Sequence, residues 1–176
     1  MRSPPSQLFR QAFETAVILG GAAIVHVVWR AGVMPAAAVT WLVTALALAK
    51  TCGFFVENLQ HILLATSHEI PYHKFLTLMG VNMAQITVSF GLDFFLLETA
   101  AGESFSGFAA GLAEWRILFD CLFYSVLNFT FFGFGDITPL SVPAKLVTLM
   151  EVTLAFFTVI FLLSDFISLK DSLRGK

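Results

Sequence analysis

Four long apolar stretches divide the chain, at residues 12–34, 35–56, 75–97 and 144–169. Each is close to the roughly 20 residues that a helix needs to cross a bilayer. Met34-Pro35 separates the first two so tightly that they form an antiparallel hairpin. Between the second and third, residues 57–74 mix charged, amide and imidazole groups around a short apolar run, a pattern that predicts an interfacial helix and a turn at Pro71. The third stretch carries Asn82, Gln85, Ser89 and Asp93, whose spacing puts them on one helical face. In lipid a polar stripe of this kind either hydrogen-bonds neighbouring helices or lines an aqueous path. Residues 98–115 form a loop, and residues 116–130 are too short to cross and return, so they predict a half-helix that dips into the membrane.

Composition says what surrounds these helices. The chain is 57% hydrophobic and 12% charged over 176 residues, far more apolar than a soluble domain of that size. A net charge of −2 with no basic stripe gives no nucleic-acid surface. Cys52 and Cys121 fit no disulfide framework or CxxC pattern. The opening Met1-Arg2-Ser3-Pro4-Pro5 leads into a span-length run without a small-residue cleavage site, so no cleavable signal is expected. Seven residues follow the last span, and no cytosolic ligand-sensing domain is expected from them. His61, His68 and His73 lie seven and five residues apart with Pro71 intervening, a spacing that matches no common metal-ligand motif.

Between the half-helix and the last span lies Asn128-Phe129-Thr130-Phe131-Phe132-Gly133-Phe134-Gly135-Asp136-Ile137-Thr138-Pro139. Irregular backbone at membrane depth is tolerated only where protein buries it or where it lines water. Glycine at positive φ turns successive carbonyls toward one axis, where a ring of them can replace an ion's hydration shell. The stretch resembles the pore-loop signature of potassium channels, T-T-V-G-Y-G-D, and residues 122–139 overlay it without a gap. Residues 145–161, with Glu151, are similar to the inner helix of bacterial members.

This resemblance implies an all-α membrane protein of four transmembrane helices, with one re-entrant pore helix and a filter-like loop between the third and fourth. It divides the chain into an N-terminal transmembrane hairpin (1–56), an interfacial linker (57–74) and a pore module (75–176). The implied ion filter is Thr130, Phe131, Phe132, Gly133, Phe134, Gly135 and Asp136, supported by Tyr124, Asn128 and Glu151. Within it, Phe131 stands where the family has a threonine whose hydroxyl helps form the innermost ion site, Phe132 stands for a small valine, and Phe134 for the usual tyrosine. No glycine occurs in residues 145–169, where many members bend the inner helix. No cofactor is implied, only a bound potassium or other monovalent cation. One loop supplies one wall of a filter, so a homotetramer in a lipid bilayer is expected.

The ionisable groups within spans set three further expectations. A charged group in a span usually finds a partner; counted from the same membrane face, Asp93 reaches the depth of Arg30, with His26 one turn deeper, so Asp93 is expected to contact Arg30 or His26. Glu151 is expected either to hydrogen-bond the pore-loop backbone or to sit as a neutral acid against a neighbouring helix. Asp165 is expected to cap and snorkel at its helix end, or to draw cations to a mouth of the pore. With the filter outside, the inner side holds Arg2, Arg10, Lys50, Lys74, Lys170, Arg174 and Lys176, in line with the positive-inside rule. The termini are then cytoplasmic, in a bacterial inner membrane. Three function classes compete: a potassium-type cation channel subunit, a non-conducting assembly or sensor protein on the same scaffold, and an intramembrane enzyme. The last has no HExxH or GxSxG motif and no histidine close in sequence to a cysteine, so no enzyme is expected.

Overall fold

The computed structural model of the chain describes the backbone of residues 4–66, 72–109, 111–133 and 135–174, and the side chains of residue 11 and of residues 13–60, 75–109, 111–133 and 135–163. Phe134 and His68 lie outside the described residues, as do the side chains of His61, His73 and Asp165. Among the described residues five helices form, α1 (Pro4–Arg30), α2 (Ala36–Thr66), α3 (Tyr72–Ala101), α4 (Glu114–Phe129) and α5 (Val142–Arg174). Two short strands, β1 (Phe105–Ser106) and β2 (Thr138–Pro139), pair antiparallel with Phe105 opposite Pro139 and Ser106 opposite Thr138.

All helices but α4 are long and apolar enough to cross a membrane. With no water in the hydrocarbon to satisfy backbone groups, uninterrupted helix is the form these runs take. Their ends carry local stop signals. Gly102 closes α3 in a left-handed conformation, its N–H donating to the Glu98 carbonyl at 2.8 Å. Ser141 opens α5 by accepting the Ala144 N–H on its hydroxyl at 3.2 Å.

Helix α3 is the hub: half of its apolar window is buried, and it packs on α1, α2, α4 and α5. Helix α2 shares its largest contacts with α5 and α3, whereas α1 lies mainly on α3 and barely touches α2. An aromatic cluster of Phe94, Phe105 and Tyr124, with ring centroids 5.1–5.6 Å apart at steep angles, joins α3, β1 and α4.

Two expectations are corrected, and of the two alternatives for the polar stripe the helix–helix one holds. No separate interfacial helix forms after residue 57, because α2 continues unbroken to Thr66. The polar stripe of α3 is wholly buried and faces helices: Asn82 bonds Asn58, which bonds Thr158 at 2.7 Å, while Gln85 donates to the Gln11 carbonyl and Thr15 hydroxyl. Asp93 is held by neither Arg30 nor His26; the Lys50 ammonium reaches both its oxygens at 2.7 Å. The reason is depth. Helix α1 ends at Arg30, but α3 runs two turns past Asp93, so Asp93 lies well below the loop-side boundary, beside Lys50 in mid-α2. Lys50 is therefore an intramembrane charge and drops out of the inner-side basic count.

Candidate ion path

The half-helix α4 is fixed behind by a buried polar cluster. Ser125 and Asn128, one turn apart on α4, both meet the carboxyl of Glu151, which is fully buried in α5. The Asn128 amide donates to Glu151 Oε2 at 3.1 Å, and Ser125 Oγ lies against Oε1 while also reaching the Thr87 carbonyl of α3 at 2.8 Å. Glu151 thus bonds pore-helix side chains and not the loop backbone, a correction to one expectation. Tyr124 contributes a hydroxyl contact to Thr148 at 3.4 Å and its ring to the aromatic cluster. Sequence reasoning named Glu151, Tyr124 and Asn128, and the structure brings all three to the α4–α5 contact. Ser125 was overlooked, although its spacing from Asn128 already puts both on one helical face.

At the C-terminus of α4 the chain turns by a helix-capping motif. The Phe132 N–H donates to the Leu127 carbonyl at 2.9 Å and the Phe131 N–H to the Asn128 carbonyl at 3.1 Å. This is the Schellman pattern, and it requires a left-handed residue at the position Phe131 occupies. Phe131 has φ 59. Gly133 also has a positive φ, 50, so left-handed backbone occurs at both Phe131 and Gly133. The Thr130 hydroxyl is turned back on the Val126 and Leu127 carbonyls at 2.7 and 3.3 Å. Phe131 and Phe132 are 46% and 69% exposed in the single chain, so neither is packed behind the loop.

Beyond Gly135 and Asp136 the chain enters β2 and is held by the segment after α3. Ser104 accepts the N–H groups of Leu140 and Ser141 on its carbonyl, and its own hydroxyl donates to Leu97 at 2.9 Å. Glu98, mostly buried, accepts the Phe105 N–H at 3.0 Å. A cavity of about 300 Å³ lies between this segment, α4 and residues 135–137, with Arg116, Asp120 and Asp136 on its walls. Arg116 pairs with Asp120 one turn along at 3.2 Å.

The other charged candidates meet at the start of α4. Arg30 forms an ion pair with Glu114, and His26 Nε2 lies 3.9 Å from the same carboxylate. The hairpin therefore joins the half-helix through Glu114, the acid that suits the N-terminal end of its dipole. Cys52 is exposed and Cys121 buried, and both are free.

A half-helix, an irregular glycine loop at its C-terminus and a long helix supporting both from behind are now in view. The family model described as Ion channel matches residues 90–170, from the second half of α3 through α5. The match supports a likeness of that stretch to the potassium-channel pore-loop family. No curated protein and no solved structure matches the chain. The pore-loop module supports an ion channel function in an integral membrane protein, and α1, all of α2 and the first half of α3 lie outside it.

Proposed function

We propose that the chain is one subunit of a homotetrameric cation channel of potassium type, set in a bacterial inner membrane with both termini cytoplasmic. The ion path is built from the loop at residues 130–136, with Gly133 and Gly135 nearest the axis and a monovalent cation as the permeant species. The observation that carries the reading is the arrangement of α4: its C-terminal end leads into the glycine loop, while Glu151 fastens it from behind. The negative end of a helix dipole aimed at the loop favours a cation there.

A second reading, a non-conducting assembly or sensor protein on this scaffold, draws support from Phe131. Its ring replaces an oxygen ligand, and four rings about an axis would form a hydrophobic constriction that can close a path by dewetting.

Flux into proteoliposomes, comparing potassium, sodium and a large organic cation, separates the two readings. We expect cation flux with weak or absent potassium selectivity in the native protein, and a gain of conduction in Phe131→Thr combined with Phe132→Val. Strong potassium preference in the native protein, unchanged by the double substitution, would remove Phe131 as the obstacle. A stable monomer by native mass measurement would count against the tetramer.

A further inference from the structure

We propose that Gly107, seated by Glu98, is a positioning residue that sets the far end of the ion path and so influences which cations pass. The inference rests on the channel reading for its consequence, not for its geometry. Three ties converge on the segment that follows α3. Glu98 accepts the Phe105 N–H, the Ser104 carbonyl accepts from Leu140 and Ser141, and the strand pair sets Ser106 against Thr138. The Phe105 ring adds a fourth, through its contacts with Phe94 and Tyr124.

The next residue, Gly107, is where this braced segment meets the loop. Its φ is 99, a region that side chains rarely adopt. A β-carbon there would stand 2.1 Å from the Asp136 carbonyl oxygen and 2.7 Å from its carbonyl carbon. Those are backbone atoms and cannot rotate aside, so the two segments touch backbone to backbone. The Asp136 carbonyl belongs to the peptide that joins it to Ile137, and Asp136 directly follows Gly135, so displacing that peptide moves the anchor one residue beyond the glycine. Gly107 therefore acts as a stop, and Glu98 sets the height of that stop relative to α3. Neither residue lines the path.

The test uses the full chain in proteoliposomes, with hydrogen–deuterium exchange and cation flux measured on the same preparations. Gly107→Ala should raise exchange several-fold in peptides covering residues 135–141, leave residues 36–60 unchanged, and shift the potassium-to-sodium flux ratio. If the alanine variant does not fold, Glu98→Gln, which keeps the volume and lowers the acceptor strength, should give the same pattern in smaller measure. Unchanged exchange over residues 135–141 overturns the proposal. Raised exchange with an unaltered flux ratio overturns the role in selection. A native protein with no flux defeats the channel reading, and exchange alone then decides the positioning of Asp136.

Discussion

The two ends of the filter-like loop are held in opposite ways. At the end nearer α4, conformation depends on one helix cap that forces Phe131 into a left-handed backbone, with its ring and that of Phe132 largely uncovered. At the far end, Asp136 to Ser141 are fixed by a strand pair, by two N–H bonds to Ser104 and by the close approach of Gly107. One end is strained and singly determined; the other is tied several times over. Strain persists only where surrounding structure enforces it, and the enforcing structure here is the Glu151 cluster that fixes α4. The difference teaches that this loop is adjustable from its α4 end and rigid at its far end.

The largest test removes the enforcement. Glu151→Leu keeps the volume but leaves the Asn128 amide buried without its acceptor, while Ser125 keeps the Thr87 carbonyl, a loss of roughly 1–3 kcal/mol for the one orphaned group. Thermal unfolding in detergent should show it, and Glu151→Gln, which keeps one acceptor oxygen and puts a donor amide in place of the other, should recover part. A leucine variant as stable as the native protein would mean that α4 is held by apolar packing alone. The far end should respond less. Ser104→Ala removes one hydroxyl bond to Leu97, worth about 1 kcal/mol, and leaves the Ser104 carbonyl and the strand pair in place. A loss several times larger would show that the ties act as one unit and not as independent supports.

Much of this frame is legible before any coordinates, and the illegible parts share a physical cause. Each spanning helix is a continuous apolar run, and hydropathy alone finds it. Hydropathy does not say which helix is central: the windows in α1 and α3 have mean hydropathies of 1.3 and 1.4, yet 0% of the first is buried and 50% of the second. In lipid, an apolar surface is equally content against hydrocarbon or protein, so burial is decided by polar groups. The stripe of Asn82, Gln85, Ser89 and Asp93 marks α3 as the hub, and α1 has no comparable stripe. Partner choice is harder. Asp93 meets Lys50 and Arg30 meets Glu114 because helix ends, which set relative depth, lie several residues from where the apolar runs stop. Gly107 is one of several glycines in a loop, and only its approach to Asp136 distinguishes it.

The smallest expected effect is also a gain. At the left-handed position that ends a helix, a residue with a β-carbon costs about 1–2 kcal/mol, and glycine carries no such penalty. Phe131→Gly should therefore strengthen the cap. Against that stands glycine's greater loss of freedom on folding, about 0.5–1 kcal/mol, while a ring 46% exposed in the single chain forfeits little packing there. The net for an isolated subunit is a stabilisation of about 0.5–1 kcal/mol, read as a small rise in unfolding temperature. In a closed ring the outcome depends on the rings themselves. If four Phe131 side chains meet at an axis, their removal costs the assembly apolar contact, and the tetramer should dissociate more readily even as the subunit gains stability. If Phe131 faces lipid or a neighbouring helix, the gain should survive assembly. Comparing unfolding temperature with the tetramer fraction in one glycine variant thus tells where Phe131 points, and a fall in subunit stability would show that the cap is not the source of strain.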